Sequence, residues 1–475
     1  MRLLVVFGIV CVLVMGCMQK NVKQDTTISL QEIKQELVIK EIPAAVKLCE
    51  LTDSTKQMID IGECKLFCEI EGKGTPIVLI NGGPGETHHV FHPWFSGLKD
   101  TFTVIYYDQR GCGVSDYTPV EGYTFDQAVD DLENLRKALK IDKWIVLGVS
   151  YGGAMAQYYT VKYPENVLGQ ILVGAAPMMA NIPQVNADKE LFTEKELTVF
   201  KDIEALFSSG KINAATMVYN KKLNGFWKRG TLYPLTPERL VLAANYDTKF
   251  DPNSSTDFRS YNFAHVFETC PIPTLIIEAK NETNWASDKP VLFKENHRNA
   301  ELVILDNARH YSYRDQPEQF MSEIKRWGSV LKKTDEKKIA IWKKNVNTLI
   351  GDQLEQKINN RNFLKLILNK GVAEAVAYYH AFKKANPNKP VFFEESVNVA
   401  GYQFLNAAKV DEAVALLNLI VIEFPNSWNA FDSLAEAQVK QGNKEEAIKN
   451  YKHSIELNPE NENGKKMLKD LNDSK

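Results

Sequence analysis

The chain has 475 residues, which is long enough for two or more domains, each with its own hydrophobic core. Its 57 basic and 60 acidic side chains nearly cancel to a formal net charge of −3, and no basic run stands out, so nothing favours a nucleic-acid partner. Hydrophobic residues make up 44% of the chain, an ordinary content for a folded protein.

The first residues are typical of an export signal rather than of a folded domain. A short positive start precedes an apolar run at 3–14, which is too short to span a bilayer. The run leads into Val-Met-Gly-Cys17, which resembles a bacterial lipobox. The resemblance implies a signal peptide at 1–17, lipid on Cys17, and a lipid-anchored membrane protein of the bacterial cell envelope. A soluble secreted protein or an uncleaved anchor is the alternative. Residues 18–54 are then a polar tether and N-terminal extension.

The remaining cysteines fit poorly with a disulfide framework, because five are left once Cys11 and Cys17 are set aside. Cys64 and Cys68 lie four residues apart in a strand-like stretch and so face the same way. They could pair or bind a metal, but no matching cluster of histidine or cysteine accompanies them. Buried thiols are the favoured interpretation.

From residue 55 onwards, short apolar runs alternate with helical patterns. A strand pair is predicted at 58–61 and 65–70, and the later runs are apolar throughout, as in strands buried on both faces. These buried strands are predicted at 76–80, 102–107, 144–147, 170–173, 273–277 and 302–305. Helical spacing is found at 125–139 and 154–163. The alternation predicts a parallel α/β sheet with a functional site at the carboxyl edge of its strands.

The prediction of function depends above all on the stretch after the strand at 144–147. It reads Gly148-Val-Ser150-Tyr-Gly152, the G-x-S-x-G pattern in which a serine stands on a sharp strand-to-helix turn. Side chains at positions 148 and 152 would collide in so tight a turn, which explains the two glycines. The helix that follows directs its amino end at the site and favours developing negative charge there. Ser150 is therefore predicted to be a catalytic nucleophile.

Two glycine-rich loops precede this turn, each at the end of a predicted strand. They read Asn81-Gly-Gly-Pro-Gly85 and Asp108-Gln-Arg-Gly-Cys-Gly-Val-Ser115. Together with Gly-Val-Ser-Tyr-Gly-Gly at 148–153, they resemble, in the same order, the motifs of the prolyl iminopeptidases, an α/β-hydrolase family. The resemblance covers roughly residues 55–331. The family has histidine where Asn81 stands and tryptophan where Tyr151 stands.

The resemblance implies an α/β-hydrolase fold with a helical cap inserted after the sixth strand, at about 178–268. It implies that the backbone N–H groups of Gly83 and Tyr151 form the oxyanion hole that stabilises the tetrahedral intermediate. Asp108 and Arg110 are expected to form a structural ion pair that braces the glycine loop. Cap helices are predicted at 194–207, 214–223 and 237–246.

The other two members of a catalytic triad are expected after the last two strands. Laid against the family, Glu282 falls on the position of the acid, where aspartate is usual. Asp288 is the competitor, although it lies near a helix start, where a carboxylate has a capping role. His310 follows the final strand as the family requires, and the order Ser150, acid, His310 is the one this fold uses. The histidines at 88, 89 and 92 could touch substrate, but surface or packing roles are favoured.

The C-terminal part of the chain has a different character. Residues 332–355 are charged and are predicted to form a linker or a bridging helix. Beyond them, equivalent residues recur 34 positions apart, a period that resembles tetratricopeptide repeats. The pairs with this spacing are Ala413 with Ala447 and Pro425 with Pro459. We therefore expect an all-α repeat domain at 356–475, with a degenerate unit around Ala375. It would bind a protein or peptide partner, or act as a stabilising or self-associating appendage.

The sequence thus predicts a serine hydrolase that needs no metal and no cofactor. Ser150 attacks a carbonyl group, His310 carries the proton, and Glu282 orients His310. The resemblance implies an aminopeptidase that cleaves the amide bond next to a free N-terminal residue of a small peptide. An esterase or other acyl hydrolase is the alternative. A membrane-tethered binding protein with an inactive hydrolase domain is the alternative of another class.

Overall fold

The computed structural model describes residues 38–43, 53–83, 85–116, 124–179, 187–235 and 261–473. Cys17, Cys49 and the cap helix predicted at 237–246 lie outside the described residues. The chain divides into two compact units, Met1–Leu349 and Ile350–Lys475.

The first unit is built on a sheet that, within the described residues, has eight strands in the order β1-β2-β4-β3-β5-β6-β7-β8. The strands are β1 (Thr55–Asp60), β2 (Lys65–Glu71), β3 (Thr75–Ile80), β4 (Phe102–Tyr107), β5 (Trp144–Val149), β6 (Val167–Val173), β7 (Thr274–Ala279) and β8 (Glu301–Leu305). β2 runs antiparallel to both β1 and β4. All other neighbours are parallel, as the apolar runs predict.

Helices cover the sheet and follow its strands. In the described part of the first unit, the α-helices are α1 (Phe125–Ala138), α2 (Tyr151–Lys162), α3 (Asp188–Leu191), α4 (Glu194–Ser208), α5 (Ala214–Leu223), α6 (Lys289–Asn296), α7 (Ser312–Asp315) and α8 (Pro317–Ser329). Every residue of the central strand β5 is buried, so its side chains pack into the hydrophobic core on both faces of the sheet. The alternation of strands and helices predicted from the sequence is confirmed, and it brings the ends of β3, β5, β6 and β8 to one edge of the sheet.

Three of these helices, α3 to α5, lie in the long connection between β6 and β7, where the cap was expected. α4 begins with a capping box, in which the Thr193 hydroxyl accepts from the backbone of Glu196 and the Glu196 carboxylate accepts from the backbone of Thr193. The rings of Phe192, Phe200 and Phe226 pack on one another with centroids 5.0 to 5.9 Å apart. The described part of the connection is therefore a small packed body with its own aromatic core.

The second unit is helical in its described residues. The long helix α9 (Glu336–Lys370) crosses the sequence position at which the two units divide, and it covers most of the segment predicted as a linker. It is followed by α10 (Val372–Ala385), α11 (Glu394–Asn406), α12 (Val410–Glu423), α13 (Trp428–Gln441), α14 (Lys444–Leu457) and α15 (Glu462–Asp473).

Successive helix pairs in this unit recur at the period found in the sequence. α11 and α13 begin at Glu394 and Trp428, and α12 and α14 begin at Val410 and Lys444, so both pairs of starts are separated by the same interval as Ala413 and Ala447. The fourth residues of α10, α12 and α14 are the alanines 375, 413 and 447, and all three are completely buried. A side chain this small lets neighbouring helices approach closely, which explains why alanine recurs at this position.

None of the described helices combines the length and the apolar character that crossing a bilayer requires.

Candidate active site

Ser150 stands on a strained turn between β5 and α2. Its φ of 56° and ψ of −119° are values that a residue with a side chain rarely adopts. The turn excludes side chains on either side of it. A methyl group on Gly148 would lie 2.0 Å from the carbonyl oxygen of Gly152, and one on Gly152 would lie 2.1 Å from that of Ile80. Ser150 occupies the N-cap position of α2 without capping it through its side chain, which leaves the hydroxyl available for chemistry.

The backbone of Ser150 is fixed to the neighbouring strand. Its N–H donates to the carbonyl oxygen of Val173, the last residue of β6, at 3.0 Å. Its carbonyl oxygen accepts from the N–H of Ala176 at 2.8 Å. These two bonds anchor the strained residue on both sides, so the surrounding sheet supports a conformation that would be costly in isolation.

His310 lies at the same edge of the sheet, in the loop after β8. A methyl group on Gly174, the residue after Val173, would come within 3.2 Å of the Nδ1 atom of His310. His310 therefore packs against the residue that follows the strand anchoring Ser150. The Nδ1 atom of His310 donates to Oε2 of Glu282 at 2.8 Å. Since a carboxylate can only accept, the proton is on Nδ1, and Nε2 keeps its lone pair for a serine hydroxyl.

The carboxylate of Glu282 is held in its charged form. Burial alone would raise the pKa of Glu282, but the charge and the hydrogen bond of His310, the charge of Lys289 and the backbone N–H of Asn284 lower the pKa to about 2. The second oxygen, Oε1, accepts from the backbone N–H groups of Thr283 and Asn284 at 2.8 and 2.9 Å. Both oxygens of Glu282 are thus committed, which fixes the orientation of His310.

Asp288, the competing candidate for the acid, is exposed and stands at the N-cap position of α6 without a side-chain capping bond. Its capping role, expected from its sequence position, is thus not seen through its side chain. The structure brings Glu282, and not Asp288, to His310.

The glycine loop after β3 lies against the nucleophile. A methyl group on Gly82 would be 3.2 Å from Cβ of Ser150. Gly83 is exposed and has a φ of +112°, and any side chain there would approach the backbone nitrogens of Gly85 and Glu86 to 3.0 Å or less. Tyr151 is the first residue of α2, and the first N–H groups of a helix have no carbonyl partner within it. These positions fit the donors predicted for the oxyanion hole.

Asn81 stabilises the glycine loop through hydrogen bonds of its side-chain amide. Its Nδ2 donates to the carbonyl oxygen of Glu86 at 2.7 Å and to that of Gly82 at 3.1 Å. Gln109, in the loop after β4, donates to Oδ1 of Asn81 at 3.2 Å. Asn81 therefore ties the two ends of the loop together.

Asp108 braces the same loop, but its partner differs from the one expected. Its Oδ1 accepts from the backbone N–H of His88 at 2.8 Å and from the ring Nδ1 of His88 at 2.7 Å. Arg110 instead forms a two-pronged pair with Asp131 of α1, with both contacts at 2.7 Å. The expected ion pair between Asp108 and Arg110 is therefore wrong: Asp108 is bonded to His88, just after the glycine loop, whereas Arg110 joins its own loop to α1.

One cluster among the described residues has a donor set that could hold a metal ion. Glu69, His88 and His92 are all buried, and one ligand atom from each lies within 4.8 Å of the others. Nε2 of His92 is 3.2 Å from Oε2 of Glu69. Because His88 is bonded to Asp108 and His92 contacts Glu69, these side chains form a polar network under the glycine loop. The packing role favoured for the histidines at 88 and 92 agrees with their burial.

The described cysteines, Cys64, Cys68, Cys112 and Cys270, are buried thiols that form no disulfide. Burial raises the pKa of Cys64, Cys68 and Cys270 to about 12, so these three stay protonated and have little nucleophilic character. The interpretation as buried thiols therefore fits.

The connection between β6 and β7 is hydrogen-bonded to the loop of His310. The N–H of Tyr311 donates to the carbonyl oxygen of Gly230 at 2.8 Å. Asp315 accepts from the backbone N–H groups of Leu232 and Arg309, both at 2.9 Å. One backbone hydrogen bond and the side chain of Asp315 therefore join the segment around residues 230–232 to the chain around His310.

Known proteins resemble the first unit. Residues 75–209 match the family model described as alpha/beta hydrolase fold. A proline iminopeptidase of Saccharolobus solfataricus is 27% identical over 270 residues, which cover 55% of this chain and 86% of that protein. Another, of Clostridium botulinum, is 26% identical over 289 residues, which cover 56% of this chain and 92% of that protein. A solved esterase of Exiguobacterium antarcticum aligns with a TM-score of 0.47 at 21% identity, covering 58% of this chain and 100% of that chain.

The predicted fold class is confirmed. The chain has an α/β-hydrolase fold with homologues among the proline iminopeptidases over its hydrolase part, and it continues into a helical C-terminal part. The fold and the named relatives support a hydrolase.

Proposed function

We propose that this chain is a serine hydrolase that cleaves the amide bond after a free N-terminal residue, in the manner of a prolyl iminopeptidase. The observation that carries the proposal is the hydrogen bond of 2.8 Å between His310 and Glu282, set at the sheet edge where Ser150 stands on its strained turn. The relatives named proline iminopeptidase support the choice of reaction.

In the proposed mechanism, Ser150 attacks the carbonyl carbon of the substrate while Nε2 of His310 takes the proton from its hydroxyl. Backbone N–H groups of Gly83 and Tyr151 stabilise the negative charge that develops on the carbonyl oxygen. His310 then returns the proton to the leaving amine, which breaks the amide bond and leaves an acyl group on Ser150. A water molecule, activated by His310, releases the acid product. Glu282 keeps the His310 ring in place and stabilises its charged form throughout.

The alternative activity is an esterase or another acyl hydrolase, which would use the same three side chains. The prolyl iminopeptidases have histidine at the position of Asn81 and tryptophan at the position of Tyr151. These two differences beside the nucleophile are why esters are included in the test below. Esters have better leaving groups than amides, so the two activities are separated by substrate rather than by mechanism.

A substrate panel tests the proposal on the soluble portion of the chain that begins near residue 20. The panel compares prolyl and alanyl arylamides with their N-acetylated forms and with short acyl nitrophenyl esters. We expect kcat/KM to be highest for an arylamide with a free amine and to fall at least tenfold when the amine is blocked. Turnover of the esters alone, or equal rates for free and blocked amines, would replace the aminopeptidase with the esterase.

We further propose that lipid on Cys17 attaches the protein to a membrane of the bacterial cell envelope. The support is the lipobox-like sequence before it and the apolar run at 3–14. Replacing Cys17 with alanine is expected to leave an unlipidated, unprocessed precursor, which mass spectrometry distinguishes from the mature form. A mature N-terminus downstream of residue 17 in the unaltered protein would contradict the proposal.

The C-terminal helices are proposed to act as tetratricopeptide-like repeats that bind a protein partner or a second copy of the chain. The support is the constant interval between the starts of equivalent helices and the buried alanine at the fourth position of α10, α12 and α14. Sedimentation of the full chain with and without residues 356–475 tests self-association. The same number of chains per particle in both samples would exclude a self-associating role.

A further inference from the structure

Glu86 lies beside the nucleophile and has one uncommitted oxygen. The residue is only 8% exposed, and Oε2 is buried with no hydrogen-bond partner within the described part of the chain. A methyl group on Gly82 would lie 3.1 Å from this oxygen and 3.2 Å from Cβ of Ser150. Oε2 of Glu86 and Cβ of Ser150 therefore both lie close to Gly82, on the side that its Cβ would occupy. A buried carboxylate oxygen without a donor is costly, so it points to a donor supplied by a ligand.

The rest of Glu86 is held firmly. Its other oxygen, Oε1, accepts from the hydroxyl of Tyr311 at 2.9 Å, and Tyr311 directly follows His310. Its carbonyl oxygen accepts from Nδ2 of Asn81 at 2.7 Å. The bond from Tyr311 therefore holds the carboxylate, and the bond from Asn81 holds the backbone of Glu86. Of the two carboxylate oxygens, only Oε2 remains to receive a donor.

We infer that Oε2 of Glu86 binds the free ammonium group of the substrate's N-terminal residue. The inference rests on the proposed function and names the group that would make a free amine necessary. In an aminoacyl substrate the amine nitrogen lies about 2.5 Å from the carbonyl carbon, because only the N–Cα and Cα–C bonds separate them. When Ser150 attacks that carbon, the nitrogen is held close to the nucleophile, where the open oxygen of Glu86 can accept its hydrogen bond.

The same carboxylate would discriminate against substrates without an amine. Negative charge develops on the carbonyl oxygen during attack, and a second negative charge close by in a partly buried site opposes it. A bound ammonium group compensates the carboxylate, so the oxyanion forms at lower cost. Glu86 therefore favours aminoacyl substrates in two ways. It binds their amine, and its uncompensated charge raises the free energy of the transition state for acyl groups without an amine.

Two cations on neighbouring elements share the surroundings of Glu86. Burial lowers the pKa of Lys222 in α5 to about 8, although the charge of Glu86 opposes this shift, and the charge of Arg314 adds to it. The charge of Glu86 also helps to raise the pKa of Arg314. Both cations thus interact with the carboxylate electrostatically, but neither donates a hydrogen bond to Oε2.

The carboxylates of the cap are weaker candidates for the same role. Glu196 is bonded to Lys228 at 2.6 Å, and Glu204 is bonded to Lys221 at 2.5 Å. Glu190 and Glu194 are exposed on the outside of their helices. Among the acidic residues compared, Glu86 alone combines burial, an open oxygen and proximity to Ser150.

The test measures kcat/KM of the soluble chain on three substrates, namely an alanyl arylamide, its N-acetylated form and an acyl nitrophenyl ester. Glu86→Gln keeps the shape and the bond to Tyr311 but removes the charge, Glu86→Asp keeps the charge, and Glu194→Gln is the matched control on an exposed carboxylate. We expect Glu86→Gln to lower kcat/KM for the free-amine substrate by about 100-fold or more. The values for the blocked substrate and the ester should fall much less or rise. Glu86→Asp should recover part of the loss.

Each outcome decides a different point. If the unaltered enzyme prefers the free amine and Glu86→Gln keeps that preference, the role of Glu86 is overturned while the proposed function stands. If the unaltered enzyme shows no preference for the free amine, both the role of Glu86 and the proposed aminopeptidase function are overturned. If Glu86→Gln loses ester turnover to the same extent as amide turnover, Glu86 has a structural role and the inference is overturned.

Discussion

Glu282 and His310 meet through a hydrogen bond of 2.8 Å between Oε2 and Nδ1, 28 residues apart in the chain. The two loops that carry them follow β7 and β8, and these neighbouring parallel strands end at the same edge of the sheet. Because backbone N–H groups occupy the second carboxylate oxygen, the pair has one geometry rather than several. The predictions about the site depend on this pair.

Glu282→Gln should cost far more activity than Asp288→Asn. Loss of the Glu282 carboxylate removes both the orientation and the charge stabilisation of His310, a penalty that reaches roughly 10⁴-fold in kcat for the serine-protease precedent. Asp288 is exposed and makes no capping bond, so its variant should stay near the activity of the unaltered enzyme. Steady-state kinetics on a common arylamide compares the two. The opposite ranking would move the acid to Asp288.

Glu282 should also make the stability of the hydrolase unit depend on pH in the acid range. Its pKa is about 2 in the folded chain, against an ordinary value of 4.5. A lowered pKa means that the contribution is fully present above about pH 4.5 and is lost as the pH falls towards 2, by roughly 3 kcal/mol in total. Denaturant unfolding from pH 5 to 2 should therefore show a steeper loss for the unaltered chain than for Glu282→Gln. Parallel curves would contradict this.

The turn at Ser150 should not tolerate a methyl group at Gly148. In Gly148→Ala the new Cβ would lie 2.0 Å from a backbone oxygen, so either β5 or α2 must move. We expect loss of activity and a lowered melting temperature. Gly97→Ala is the control, because its methyl group would approach only two side-chain carbons of Met321, at 3.4 and 4.0 Å. A fully active Gly148→Ala variant would contradict the geometry of the turn.

A buried ion pair beside the site should be sensitive to loss of one partner. Lys289 and Glu278 are almost fully buried and are 2.8 Å apart. Lys289→Met leaves the Glu278 carboxylate without its counter-charge and should cost about 3–5 kcal/mol in the free energy of unfolding. The double variant Glu278→Gln with Lys289→Met should cost clearly less, since no buried charge is left alone. An additive loss would show that the two residues do not act as a pair.

Sequence reasoning was most successful where local pattern decides structure. Continuous apolar runs predicted β4 and the core of β5, and glycines at fixed offsets identified the turn of Ser150. Glu282 and His310 were placed by the resemblance to the prolyl iminopeptidases, and the parallel strands β7 and β8 bring the two loops to one edge of the sheet. The antiparallel pairing of β2 with β4 was not predicted, because an apolar run does not specify its neighbour.

Ion pairs and hydrogen bonds between side chains that are brought together by tertiary packing were not predicted. Arg110 pairs with Asp131 on α1 rather than with Asp108, two residues away, because the side chain extends from its loop to the helix packed beside it. The sequence did not predict a role for Glu86, because the proposed role depends on Oε2 having no hydrogen-bond donor in the folded chain. Burial and hydrogen bonds in three dimensions decide that, and spacing along the chain carries no information about it.

The most direct test of the account is covalent labelling of Ser150. The soluble chain is treated with a fluorophosphonate probe, and intact-mass spectrometry with peptide mapping follows, for the unaltered protein, Ser150→Ala and Glu282→Gln. The account predicts one adduct per chain on the peptide that contains Ser150, none in Ser150→Ala, and much slower labelling in Glu282→Gln. An adduct that persists in a folded Ser150→Ala variant, or one that maps to another residue, would contradict it.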